Sequence, residues 1–265
     1  MAKAPAVKEA SQLPATTEDD DFSSYAGVGM ENVGASDILI PRLTILQSLS
    51  PQLKQSKSEY IEGAKVGDIC DVGTGDIFPD GIMFVPVYYS KVVIEWAPRS
   101  SGAGLVAIHT DLSIMDKATR NEKNQPYLGP NLLSETGQFF GLNLTAEGRK
   151  SYIPMASTQL KKGRRWLSLA TGEKITRKDG SSFVAPLFYR AYKLTTADES
   201  NSQGDWMGWK IERGPKLTEL EGMNWRSIRD DAVAFYDSLV KGEVRGDIGS
   251  MDDSGSSAGG DNEAM

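Results

Sequence analysis

The chain has 265 residues, of which 39% are hydrophobic and 25% charged, with a formal net charge of −7. This is the balance of a soluble globular chain with a substantial core, and no apolar run approaches the ~20 residues of a membrane-spanning helix. Cys70 is the sole cysteine and His109 the sole histidine, which excludes an intramolecular disulfide framework and a Cys/His zinc site and argues against a histidine-based nucleophile.

In chain order, residues 1–35 are rich in Ala, Ser, Thr, Gly and acids, lack apolar periodicity and read as disordered. The first ten residues have no apolar core followed by a cleavage site, so the expected home is a reducing cytoplasm. Ile38 to Gln47 is open to two readings, with Pro41 either starting a helix or lying beside an edge strand. From there the pattern is mostly β, with short runs of Val, Ile, Tyr, Phe and Trp between Gly, Pro, Asp and Asn clusters. Ile82 to Trp96 reads as a long strand with Pro86 at a bulge or edge position, and Gly104 to His109 as a short strand. Asn131 to Asn143 reads as a segment with a short helix. Trp166–Ala170, Ser182–Thr195 and Trp206–Glu212 read as further strands. Lys178-Asp179-Gly180-Ser181 is a hairpin turn, because Asp-Gly tolerates positive φ. A closing helix is expected at 224–241, capped by Asn224 and ended by Gly242. The tail, 246–265, is Gly, Ser and acid without aromatics and reads as disordered. The expected architecture is mainly β: an antiparallel OB-like barrel over 36–245 with embellishments, a C-terminal helix and two acidic ends. A β-sandwich is the alternative.

The charge is unevenly spread. Residues 1–35 carry −4 and the tail −5, which leaves the body at +2. The basic charge concentrates between Arg149 and Lys193, where eleven Lys and Arg face only Glu173 and Asp179. Tyr152, Trp166, Phe183, Phe188, Tyr189 and Tyr192 are interleaved with them. Cations neutralise phosphates, and aromatic faces stack on unpaired bases, so this mixture suits sequence-tolerant binding of single strands. The candidate contacts are Lys161, Lys162, Arg164, Arg165, Trp166, Lys174, Arg177, Lys178, Arg190, Tyr192, Trp206 and Lys210. Strand parity sets Trp166 opposite Leu167 and Leu169, exposed beside a Gly-containing basic loop. It likewise sets Trp206 and Lys210 opposite Met207, Trp209 and Ile211. Phe188, Arg190 and Tyr192 share a face of a strand that is apolar on both sides.

Catalytic signatures are missing. There is no Gly-Lys-Ser/Thr, Gly27-Val28-Gly29 lacks its third glycine, and no lysine has Asp or Glu two residues before it. Asp68, Asp71, Asp76 and Asp80 sit among glycines and read as turn residues. No cofactor or metal is expected, and the sequence points away from an enzyme.

The run Ile40-Pro41-Arg42-Leu43-Thr44-Ile45-Leu46-Gln47-Ser48-Leu49-Ser50-Pro51, the run Glu95-Trp96-Ala97-Pro98-Arg99 with Leu105-Val106-Ala107-Ile108-His109, the basic aromatic segment and the acidic tail together resemble single-stranded DNA-binding proteins of tailed bacteriophages. The resemblance implies a non-catalytic protein that coats exposed strands in replication, recombination and repair inside the infected host cell. It also implies an acidic tail that competes for the DNA groove and recruits replication or transcription enzymes, with no membrane role and scope for homo-oligomers. Acidic tails of that family often end in an aromatic or strongly apolar residue, whereas Glu263-Ala264-Met265 ends this one. The rival readings are a phage virion or scaffold protein with a self-associating β-domain and, behind it, a metal-dependent nuclease using the Gly-flanked acids.

Overall fold

The structure is a computed structural model that describes residues 25, 28–32, 39–202 and 204–246. The two acidic ends, expected to be disordered, lie almost entirely outside the described residues. Strands β1 (Leu39–Ile40), β2 (Leu43–Ile45), β3 (Ile69–Asp71) and β4 (Ile77–Phe78) precede two long strands, β5 (Ile82–Trp96) and β9 (Asn131–Asn143). Between these lie β6 (Leu105–His109), β7 (Thr119–Arg120) and β8 (Pro126–Leu128). After β9 come β10 (Arg149–Ala156), helix α1 (Leu160–Thr171), β11 (Lys174–Thr176), β12 (Ser182–Val184), β13 (Arg190–Asn201), β14 (Gly204–Lys216), helix α2 (Trp225–Val240) and β15 (Arg245–Gly246).

The main sheet is eight-stranded and antiparallel, and β5 and β9 form its spine. One edge of β5 carries β13 at its start and β6 at its end. The free edge of β9 carries β10 along one half and β8 at the other. An Arg42–Tyr152 bridge joins β10 to the β2–β3–β4 sheet, so the strands curve into a half-barrel. Gln47, just after β2, reaches the far side. Its carboxamide donates to the Met207 carbonyl and accepts from the Met207 N–H, both at 2.9 Å, tying the first strands to β14.

Both faces of this sheet are buried, because alternate side chains of each strand point to opposite sides. Phe84, Phe139, Ile153, Tyr192 and Trp209 build one core, which α1 covers with Trp166 and Ala170. Val85, Phe140, Tyr152 and Ala191 build the other, which α2 covers with Ala232 and Phe235. Val92, Ile94 and Trp96 form a smaller cluster where β5 runs out beside β6.

The structure corrects several expectations. The segment 131–143 is one continuous strand. Its Phe139 and Phe140 point into different cores, which a helix in mid-sheet would prevent. Trp166–Ala170 is helical, and Lys161, Lys162, Arg164 and Arg165 lie on that helix rather than in a loop. Ser182–Thr195 is broken by Pro186 and a 3-10 turn at Leu187–Tyr189. As a result Phe188 packs on the α2 side while Tyr192 faces α1. Pro41 separates two short strands and opens no helix. Other expectations are met. Pro86 sits at a register shift in β5. Asp179-Gly180 turns the β11–β12 hairpin with Gly180 at φ 84°. The Asn224 side chain accepts from the Arg226 and Ser227 N–H groups to cap α2.

Candidate nucleic-acid interface

Helix α1 organises the basic segment. Gly163, Trp166 and Ala170, spaced i, i+3 and i+7, form its buried stripe. Gly163 allows close approach, since a Cβ there would lie 3.2 Å from Met155 Sδ and from the Phe139 ring. Trp166 is 1% exposed. It stacks on Phe139 with centroids 4.2 Å apart and meets Tyr192 and Phe84 edge-on at 5.5 and 6.0 Å. The sequence-based role of Trp166 as an exposed stacking platform is therefore wrong, because the helical turn carries its side chain into the core. Tyr192 is equally buried, and burial pushes its hydroxyl pKa up.

The opposite face of α1 presents Lys161, Arg164, Arg165 and Ser168 to solvent. Some cations of the segment are held by acids. Arg164 donates to Glu135 at 3.0 Å, and Lys91 reaches the same carboxylate at 2.6 Å. Lys162 pairs with Glu199 on β13, over Gly208, where a Cβ would collide with both partners. Glu199 also accepts from Trp206 Nε1 at 2.9 Å and Gln159 Nε2 at 3.4 Å. Burial alone would raise the Glu199 pKa, but these three donors outweigh it and hold the carboxyl below the usual range. Trp206 is thus a half-buried donor to Glu199. Arg190 donates to Glu173 at 3.0 Å and to the Gly214 carbonyl at 2.6 Å, and Arg213 joins the same glutamate. Lys210 pairs with Glu212 at 3.2 Å.

Five cations among the candidate contacts have no acidic partner among the described residues. These are Lys161 and Arg165 on α1 and Lys174, Arg177 and Lys178 on the adjoining β11–β12 hairpin. Arg177 lies over the Phe183 ring at 4.6 Å, and Phe183 is 37% exposed. Glu173, between α1 and the hairpin, is tied to β13 and β14 through Arg190 and Arg213.

Between α1 and the β13–β14 pair lies a groove of about 330 Å³. Trp166, Leu169, Ala197 and Trp209 supply apolar lining, and Lys162, Arg165, Lys210, Glu199 and Glu212 supply charges. Edge strand β14 borders it. Gln159 accepts from the Trp209 N–H at 3.0 Å, one position along from the Gln47–Met207 clamp on the same edge.

A family model described as Pam3 phage gp34-like protein matches residues 7–245. The chain belongs to that family. It is therefore a phage protein, and no curated protein and no solved structure matches it. Within this gp34-like chain Asp71 and Asp76, two of the Gly-flanked acids, have structural partners. Buried Asp71 accepts from the Gly73 N–H at 3.0 Å and from Arg149, which also binds Asp76. No group of three His, Cys, Asp or Glu among the described residues is placed to hold a metal ion. Likewise, no described helix is long and apolar enough to cross a membrane.

Of the residues singled out from sequence, Lys162, Arg165 and Lys210 line this groove, Lys161 and Arg164 lie on the solvent face of α1, and Lys174, Arg177 and Lys178 lie in the hairpin that follows it. Arg190 and Tyr192 are enclosed within the fold. The acids and carboxamide that organise the site, Glu135, Glu199 and Gln159, escaped the sequence reading, and Glu173 entered it only as a counted charge. Their partners are distant in sequence, 29 residues for Arg164–Glu135 and 50 for Gln159–Trp209, and no local pattern marks them.

Proposed function

We propose that this phage protein binds single-stranded DNA without catalysis, coating exposed strands in the host cell during replication, recombination and repair. In this reading the half-barrel serves as an OB-like platform. The observation that carries it is the set Lys161, Arg165, Lys174, Arg177 and Lys178, five candidate cations on α1 and the hairpin that follows it, with no acidic partner among the described residues. Intramolecular ion pairs absorb Lys162, Arg164, Arg190 and Lys210, so these five stay available to phosphates. Binding then rests more on phosphate contact than on aromatic stacking, with Phe183 the one exposed ring inside the patch. The acidic tail, in the same proposal, competes for this surface and recruits replication or transcription enzymes.

The test is a titration of labelled oligo-dT across a salt series. Native protein should bind all sequences alike, with affinity falling as salt rises. Lys161→Ala with Arg165→Ala should flatten the slope of log K against log salt by up to ~0.7 per lost contact. Absence of salt-sensitive binding, or an unchanged slope in the double variant, would overturn the proposal. The rival, a self-associating structural component, draws on one observation. Val233, Tyr236 and Val240 form an exposed stripe on α2 with Arg229 and Asp237 beside it, so two antiparallel copies would set unlike charges together. Sedimentation of the same sample as a dimer without affinity for oligo-dT would favour that rival.

A further inference from the structure

We infer that the groove between α1 and β13–β14 is a pocket for a single nucleotide unit, holding one flat base and one phosphate charge. This rests on the nucleic-acid reading above and adds base recognition to a surface otherwise built for phosphates.

Size sets the first limit. A space of about 330 Å³ lies at the low end of ligand pockets, enough for one nucleotide and too small for a base pair with its backbone. Charge sets the second. Among the lining groups Lys162 is matched by Glu199 and Lys210 by Glu212, leaving the Arg165 guanidinium uncompensated. A nucleotide within a strand brings one phosphodiester charge, and a guanidinium fork matches phosphate oxygens in geometry as well as sign. Leu169 and Ala197, with the indoles of Trp166 and Trp209 beneath, provide the apolar surroundings a base requires.

Polar complementarity follows from the edge of β14. Outward N–H and C=O groups recur every second residue on an edge strand. At Met207 they are covered by the Gln47 carboxamide, and at Trp209 the N–H is covered by Gln159. Ile211 is next in this alternation and lines the groove, but no carboxamide among the described residues covers it. It offers an adjacent donor and acceptor, the pairing that base edges present. Two covered positions followed by an uncovered one at the cavity distinguish a binding edge from a merely frayed one.

The experiment titrates dTMP, dAMP and inorganic phosphate separately into the full chain and reads tryptophan emission, since Trp166 and Trp209 border the groove. Oligo-dT affinity is measured in parallel. Mononucleotides should give a saturable change that phosphate alone does not. Ala197→Leu, which fills the groove, should abolish that response and weaken oligo-dT roughly tenfold while flattening the salt slope by no more than ~0.7, the share of one phosphate contact. Arg165→Ala, at an exposed position that tolerates truncation, should weaken mononucleotides even if Ala197→Leu fails to fold. An equal response to phosphate, or unaltered mononucleotide binding in either folded variant, overturns the inference. Salt-sensitive oligo-dT binding without any mononucleotide response overturns it but leaves the proposed function standing. Mononucleotide binding without oligo-dT affinity supports the pocket and overturns the proposed function. No response to either removes both.

Discussion

Truncating Trp166 should unfold the protein far more readily than it disturbs any ligand. The indole is the largest fully buried side chain and touches three aromatic rings, stacking on Phe139 and meeting Phe84 and Tyr192 edge-on. Trp166→Ala removes that buried area and leaves a cavity between α1 and the sheet, a loss of about 3–5 kcal/mol. For a domain of this size that corresponds to a melting point lower by roughly 6–20 °C. Trp166→Phe sharpens the argument. It keeps a ring against Phe139 and removes Nε1, a buried donor with no partner. Leaving such a group unsatisfied costs about 1–3 kcal/mol, so deleting it offsets part of the lost volume, and the net loss should stay near about 1 kcal/mol. Urea unfolding followed by circular dichroism measures both: the midpoint should fall steeply for Ala and slightly for Phe, with unchanged slope. An unchanged midpoint in Trp166→Ala together with weakened oligonucleotide binding would refute the buried placement and restore Trp166 as a surface platform.

Gly141→Ala should be severely destabilising, by about 3 kcal/mol or more, because a Cβ there collides with the Val85 carbonyl oxygen and lies 2.5 Å from the Phe84 ring, opposite Pro86 near the Asn143 end of the β5–β9 ladder; a native-like melting curve would show that this ladder is looser than described. Stability should also fall on acidification below about pH 4.5. The Glu199 and Glu135 carboxyls sit below their ordinary 4.5 because Lys162, Trp206, Gln159, Lys91 and Arg164 outweigh the opposing effect of burial. A depressed folded pKa contributes stability above the unfolded value and loses it as pH falls through the folded one. Thermal melts at pH 7, 5, 4 and 3 check the sign, and a midpoint constant down to pH 3 would contradict it.

Much of the fold could be read where one periodicity was unopposed. Ile82–Trp96 is rich in Val, Ile, Phe and Tyr over enough residues to declare itself a strand. The closing helix had Asn224 to start it and Gly242 to stop it. The reading failed where two periods competed within a few residues. In Trp166-Leu167-Ser168-Leu169-Ala170 the alternating leucines imitate a strand, while the true signal, Gly163, Trp166 and Ala170, has the period of a helix and hides a glycine among its contacts. At Asn131–Asn143 both faces are buried toward the β10 end, so the alternation that marks a half-exposed strand is lost. The candidate site was legible as a density of positive charge but not as a surface. Which cations remain available depends on acids brought from β9 and β13 by the tertiary fold, and charge counting along the chain cannot separate Lys161 from Lys162.

The small parallel pair of β1 and β15 has an electrical consequence. It sets Leu39 beside Arg245 and Ile40 beside Gly246, with Ile40 in the core that α2 covers. The chain therefore enters and leaves the described body at neighbouring points. The preceding residues 1–35, with a charge of −4, and the following residues 247–265, with −5, are tethered to a common spot. The pair therefore joins the attachment points of two like-charged segments. Its backbone hydrogen bonds work against a Coulombic repulsion that is strongest in dilute salt and fades as the screening length shrinks.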